Sequence, residues 1–300
     1  MEFTTEIKKK RLTGIGGSEI PAILGLSEFS SPYKVWALKT GREAPFTGNK
    51  WTTAGSILEG AVSQFFEKET QYRIIKASAK PVVKVHPKYS YVIGMIDRTY
   101  IAKVKIGKGV LECKTTQRPL DDPYESWFAQ LQWYLGITGS MYGSIAWLER
   151  GLDFKYKEYE YDPEFFNYMV GVATEFWETN ILKDIPPEPM NVDDIMKMYP
   201  RHVDGKAIDA TPEMLSAYDE LKTVRESIKT LESRETELTD SIKFAMRDCE
   251  IVKTGIKPIF TWKTTAPIHA FDKDKLKESD PDVYNAYCYE KPGIRKFLIK

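Results

Sequence analysis

Apolar residues fall in adjacent pairs every four positions between residues 53 and 69: Ile57 and Leu58, Ala61 and Val62, Phe65 and Phe66. That spacing makes one apolar stripe at the helical period, so "TAGSILEGAVSQFFEKE" is predicted to be a strongly amphipathic helix. After it the pattern changes. Stretches at about 72–77, 81–86, 91–102 and 109–115 read as strands, and the last two form a hairpin through the Lys/Gly-rich turn "KVKIGKG". A helix over 123–138 ends at Gly139, two strands at 141–149 and 153–161 follow, and an aromatic helix occupies about 163–181.

The flanks are patterned too. Two short helices are expected in the first 50 residues. Ser18 can cap one through "EIPAILG"; Ser31 followed by Pro32 starts "PYKVWALKT", with Gly41 as its stop. "DIPPEPM" at 184–190 is a connection. Over 212–248 apolar residues recur at alternating steps of three and four from Met214 to Ala245, interrupted by Glu235, which is a heptad seam on a long helix or helical hairpin. The last 50 residues hold a strand pair around "PIFTWKTT" and a short helix, "DKDKLKESD". The order implies an α/β or α+β core, a central mixed β-sheet flanked by helices, over residues 1–205, and a helical and small β region over 206–300.

Composition changes this picture little. The chain has 300 residues, 42% hydrophobic and 29% charged, an ordinary globular composition. No apolar run approaches a membrane span, "MEFTTEIKKKRL" is too polar for a signal peptide, and a cytoplasmic protein without a membrane partner is expected. Cys113, Cys249 and Cys288 have no metal-binding spacing, which argues against zinc or iron–sulfur chemistry. A net charge of zero argues mildly against nucleic acid. Yet "KKKR" at 8–11 and Lys84, Lys88, Lys103, Lys105 and Lys108 are locally dense, and acidic metal ligands would lower the total.

The candidate chemistry begins in "GVLECKTT", 109–116, where Glu112 and Lys114 project from one face of an otherwise apolar strand. Asp97 follows "YVIGM" in the partner strand, and Glu59 borders the buried face of the first long helix beside Val62, Ser63 and Phe66. Each alone reads as a solvated or salt-bridged group; a carboxylate inside an apolar strand is costly unless paired or metal-bound. Together, Asp followed about fifteen residues later by Glu-x-Lys is the D…E-x-K pattern of metal-dependent nucleases. Phosphodiester hydrolysis needs divalent ions to neutralise phosphate and activate water. Magnesium accepts two or three carboxylates and a backbone carbonyl, here that of Cys113, while Lys114 orients water and stabilises charge. Gln130 and Gln132 interrupt the apolar helix "YESWFAQLQWYLGITG", either as an edge facing water or with a glutamine near the site. In "RLTGIGGSEI", Arg11 and Ser18 could bind phosphate at a helix N-terminus, or form an ordinary capped turn.

These pieces resemble the phage-type exonucleases of the YqaJ and lambda exonuclease group, within the PD-(D/E)xK nuclease superfamily. The resemblance rests on residues 11–41, "GSILEG" at 55–60, "GMIDRTY" at 94–100, "LECKTT" at 111–116 and "AQLQWYLGITG" at 129–139, in the family's order. It implies a restriction-endonuclease-like core. It also implies that Asp97 and Glu112, with the Cys113 carbonyl, are metal ligands and that Lys114 acts on the attacking water. Glu59 becomes the helix carboxylate near a second metal, directly or through water. Gln130 becomes the active-site glutamine, and Arg11 and Ser18 hold a terminal 5′-phosphate. Two Mg2+ ions are implied, with Mn2+ able to substitute. The implied activity is 5′→3′ digestion of one strand of linear duplex DNA, releasing 5′-phosphomononucleotides, with the 3′ overhang passed to a single-strand annealing protein. A ring-shaped trimer and a phage or prophage origin in a bacterial host are implied as well. The C-terminal region beyond about 205 departs from the lambda type. Alternatives are an endonuclease of the same fold, or a non-catalytic DNA-binding or assembly module, which would be expected to lack part of the acidic set. A Cas4-like enzyme would need four cysteines.

Overall fold

The computed structural model describes residues 5–75 and 82–299, apart from the side chains of Thr5 and Lys8. The chain divides into two compact units, Met1–Pro200 and Arg201–Lys300. The first begins with α1 (Thr5–Leu12), α2 (Ile20–Ile23), α3 (Pro32–Lys39) and α4 (Lys50–Thr70). Five strands follow: β1 (Arg73–Ile75), β2 (Lys84–Val85), β3 (Ile93–Gly94), β4 (Arg98–Ile101) and β5 (Gly109–Thr116). Helix α5 (Glu125–Thr138) crosses to β6 (Tyr142–Glu149), which turns back into β7 (Asp153–Glu160). Then come α6 (Pro163–Glu175), continuing as a π-helical segment Phe176–Leu182, and α7 (Val192–Met198).

The main sheet has the order β1-β4-β5-β6-β7. β5 and β6 are parallel, and the other pairs are antiparallel. The parallel pair follows from α5, since a parallel return needs a crossover rather than a hairpin. It is the mixed, helix-flanked sheet that the pattern predicts. Alternation along β5 sends its side chains to two different layers. Val110 joins a core with Leu131, Trp133 and Leu135 of α5 and Phe166 and Met169 of α6. Leu111 and Cys113 join a second core with Val62 and Phe66 of α4. Every residue of β6 is buried, as suits a central strand covered on both faces.

Several expectations need correction. The 91–102 stretch is not one strand but β3 and β4, with irregular backbone at 95–97 between them, so Asp97 precedes β4 rather than lying within a strand. β3 pairs with β2 in a separate small sheet, while β4 pairs with β5. Of the strands expected at 72–77 and 81–86, residues 76–77 and 81 lie outside the described residues. Ser18 does not cap α2: Glu19 stands at that position, without a side-chain capping bond, and the helix has only four residues. Ser31 does cap α3, accepting from the Lys34 N–H. On α4 only part of the predicted stripe is covered. Val62 and Phe66 are fully buried, but Ile57 and Phe65 are exposed, because the sheet meets one side of a broad apolar arc. Helices α1 and α7 had no apolar period long enough to announce them.

The second unit contains α8 (Pro212–Met246), a hairpin of β8 (Ile251–Thr254) and β9 (Lys257–Thr261), and the short helices α9 (Lys273–Ser279) and α10 (Pro281–Ala286). α8 is one continuous 35-residue helix, capped by Thr211 with Pro212 in its first turn.

Close packing between β5, β6 and α5 yields a stability prediction. A Cβ on Gly143 would stand 2.8 Å from the Val110 carbonyl oxygen and 2.8 Å from Leu131 Cδ1, and the first of these is backbone. Gly143→Ala should therefore destabilise the first unit by about 1–3 kcal/mol. Urea unfolding followed by tryptophan fluorescence reads this, since six of the seven tryptophans lie in that unit. An unchanged midpoint would contradict the packing described.

Candidate functional site

The β4–β5 register pairs Arg98 with Leu111, so Asp97 falls one step further along, beside Glu112. The Cys113 N–H donates to Asp97 Oδ2 at 3.1 Å, which ties the carboxyl to β5 just where the ladder ends. Glu112 and Lys114 share the other face of the strand from Leu111 and Cys113. Lys114 Nζ lies 2.8 Å from Glu112 Oε1 and donates to Gln130 Oε1 at 2.9 Å. Gln130 in turn donates to the Tyr134 hydroxyl at 3.1 Å, one turn further along α5. From the opposite layer, α4 brings Glu59 to the same cleft.

The cleft has a volume of about 240 Å³, and its walls include Glu59, Asp97, Glu112, Lys114, Gln130 and Tyr134. Arg11, Gly16, Gly17 and Ser18 close one side. All the predicted side chains therefore meet in one place, together with Cys113. A larger depression of about 430 Å³ lies elsewhere, between Phe65 of α4 and Lys155 and Lys157 of β7. Its lysines are engaged by Glu149 and Asp122, and it lacks a comparable acidic set.

The charge balance of the cleft is unusual. Glu112 is 1% exposed, and its Oε2 has no hydrogen-bond partner among the described residues. Burial, reinforced by the neighbouring Asp97, pushes its pKa up to about 8. Glu59 is raised to about 7 by the same two causes, burial first. Asp97 is raised by burial, against the opposing pull of Lys114, the Cys113 N–H and Arg98. Burial works against the Lys114 ammonium, but Glu112 and Asp97 outweigh it, and its pKa is raised. Three carboxyl groups thus crowd a site whose positive charges are Lys114, the flanking Arg98 and Arg11 on the side wall. In low dielectric such a set holds protons until further positive charge arrives.

A hard divalent cation fits this donor set: the ligands are all oxygens, and the buried Glu112 Oε2 has no hydrogen-bond partner among the described residues. Among the described residues no group of three or more His, Cys, Asp or Glu side chains is arranged to hold an ion. A cation would instead rest on Asp97, Glu112, the Cys113 carbonyl and water, a sparse set of the kind magnesium uses.

Several contributors escaped the sequence reading. Glu19 and Lys39 form an ion pair of 2.7 Å with side chains 9% and 1% exposed. Glu19 also accepts from the Gly16 N–H at 2.8 Å, and Lys39 donates to the Arg11 carbonyl. This buried pair holds the end of α1 and the loop after it against the cleft. Gly17 lets the loop lie on Tyr134, whose ring would stand 2.3 Å from a Cβ there. The signal for Tyr134 was its place four residues after Gln130; an i,i+4 pair shares a helix face. Nothing in the local pattern marks Glu19 and Lys39, which are twenty residues apart. The two glutamines separate clearly. Neither faces water: Gln130 turns into the cleft, while Gln132 is fully buried, donating to the Glu160 carbonyl at 2.8 Å and accepting from the Asp162 N–H at 2.9 Å. Gln132 is structural, fastening α5 to the end of β7. The four-residue α2 offers no helix-dipole site, so phosphate binding near Ser18 would have to rest on Arg11 and the loop itself.

Residues 6–141 match the model of the YqaJ-like viral recombinase domain. Across 305 aligned residues the chain is 31% identical to the uncharacterized protein YqaJ of Bacillus subtilis (strain 168), covering 97% of this chain and 92% of that protein. Among solved structures it is similar to an alkaline exonuclease, LHK-Exo, from Laribacter hongkongensis, with 14% identity, a TM-score of 0.47, and coverage of 59% of this chain and 92% of the other. It is also similar to a phage-related exonuclease from Haemophilus somnus 129PT, with 12% identity, a TM-score of 0.43, and coverage of 60% and 100%. The match along nearly the whole of the Bacillus protein, with the domain model falling on the segment that builds the cleft, makes this chain a member of the YqaJ-like viral recombinase family.

Proposed function

We propose that this protein is a metal-dependent exonuclease that hydrolyses one strand of linear duplex DNA from its 5′ end. It would release 5′-phosphomononucleotides and leave a 3′ single-stranded overhang for a single-strand annealing recombinase. The observation that carries the reading is the buried Asp97–Glu112–Lys114 constellation, with an unpartnered Glu112 oxygen and Lys114 held between Glu112 and Gln130. Membership of the YqaJ-like viral recombinase family supports it.

Asp97, Glu112 and the Cys113 carbonyl would hold one Mg2+, with Glu59 toward a second directly or through water; Mn2+ would substitute. A bound cation supplies the Lewis acidity that lowers the pKa of water and neutralises phosphate charge. Lys114 orients the attacking water and stabilises charge on the phosphate, and Gln130 keeps the ammonium in place. Arg11, with Ser18, would hold the terminal 5′-phosphate at the loop that Glu19 and Lys39 tie down. A non-catalytic module is disfavoured because the acidic set is complete, with Asp97, Glu112 and Lys114 together in one cleft.

Linear duplexes labelled at the 5′ or 3′ end test the reaction. We expect Mg2+-dependent loss of the 5′ label as mononucleotide, arrest by chelator, and no cutting of closed circles. Preference for 5′-phosphate over 5′-hydroxyl ends should fall in Arg11→Ala. Nicking of closed circles would instead identify an endonuclease of the same fold.

Lys114→Ala and Glu112→Gln should each lower turnover by about 10²–10³-fold or more while leaving the circular dichroism of the folded protein like that of the parent. A fully active Lys114→Ala protein would remove the basis for the assignment.

The raised Glu112 pKa gives a test independent of turnover. Between the ordinary value of 4.5 and the raised value of about 8, the folded chain keeps a proton that the unfolded chain has lost. Stability therefore falls as pH rises through that window in cation-free buffer. The Tm of the parent relative to Glu112→Gln should drop between about pH 5 and pH 8, and Mg2+ should restore it in the parent alone. A Tm difference indifferent to both pH and Mg2+ would count against a cation-binding carboxyl here.

A further inference from the structure

The heptad seam of α8 lies open. Val224, Ile228, Leu231 and Leu238 are 45%, 49%, 69% and 48% exposed on a helix of 35 residues, about 52 Å long at 1.5 Å per residue. Monomeric soluble proteins rarely leave so extended an apolar stripe uncovered. We propose that α8 is covered by α8 of a second copy of this chain, lying antiparallel and centred between Lys229 and Thr230.

Charge chooses both the occupant and its direction. In a parallel pair each seam position meets its own copy, so Glu235 would face Glu235 inside the apolar interface. Two like carboxylates there are strongly unfavourable. In the antiparallel pair Leu221 meets Leu238, Ile228 meets Leu231, and Glu235 meets Val224 of the other copy. Arg225 adjoins Val224 and flanks the seam, so it falls beside Glu232 and within reach of Glu235 across the interface. The two-fold axis makes this contact twice. A self-complementary pattern of this kind suits an isologous dimer, in which the same patch serves both partners. It is a two-fold contact, distinct from the three-fold ring that the family resemblance implies. It is also independent of the nuclease reading, because it is read by mass and cross-linking rather than activity.

Full-length protein should be tested, with Cys249→Ser and Cys288→Ser removing the exposed thiols. Leu221→Cys and Leu238→Cys together should give a covalent dimer with a short bismaleimide, and either alone should not. By sedimentation equilibrium, Arg225→Glu should weaken association about tenfold, and Arg225→Glu with Glu232→Arg should restore it. In a parallel pair Arg225 would instead face Glu220, and the double variant would gain nothing. A chain monomeric at all concentrations, cross-linking by a single cysteine, or failure of the double variant to rescue would each overturn the proposal. The first outcome would also identify the seam as a surface for another protein or for intramolecular packing.

Discussion

The first unit is organised around a concentration of negative charge that the fold withdraws from water. Asp97 and Glu112 sit where β4 and β5 begin to separate, and Glu59 arrives from the opposite layer. Burying carboxylates is unfavourable unless positive charge or hydrogen bonds compensate. Here compensation is incomplete: Lys114 serves Glu112, the Cys113 N–H serves Asp97, and one Glu112 oxygen has no partner among the described residues. The sheet tolerates this because both layers around it are densely packed, with α5 and α6 on one face and α4 on the other. The apolar layers hold polar groups in an arrangement those groups would not adopt alone. Stability and chemistry meet at β5, whose alternate residues belong to one or the other.

Around that centre the protein builds positional control from ordinary parts. Lys114 is fixed from two sides, by its own strand neighbour Glu112 and by Gln130 from α5. Gln130 is itself steadied by Tyr134, and Tyr134 packs under Gly17 of the loop that follows α1 and carries Ser18. The loop is anchored from behind by the Glu19–Lys39 ion pair. Removing one partner of such a buried pair leaves a charge without compensation, so each member depends on the other.

The second unit follows a different logic. α8 carries its apolar residues in a line without packing most of them, so its sequence pattern is stronger than its burial. A seam of this kind specifies pairing by register and by the few charged residues in and beside it, here Arg225, Glu232 and Glu235.

How much of this was legible in advance depended on the range of the physics involved. Period and alternation are local properties of the chain. The amphipathic α4, the α5 that ends at Gly139, the β4–β5 hairpin and the opposed faces of Glu112 and Cys113 follow from them, and so does the candidate acidic set. The break that places Asp97 ahead of β4 was not legible, because β3 leaves to pair with β2, a choice made by distant partners. Nor were the separate fates of Gln130 and Gln132, two residues apart on one helix, since only the packed layers decide which meets Lys114 and which meets the end of β7. Ser18 looked like a cap because its residue type suits one; the fold started α2 later and gave the anchoring task to Glu19. The sequence by itself determined which elements form and which faces carry charge, because those depend on neighbours one turn or one pleat away. Tertiary structure alone decided which charges are buried together, and with them the protonation of Glu59 and Glu112, because desolvation depends on everything packed around a group rather than on its place in the chain.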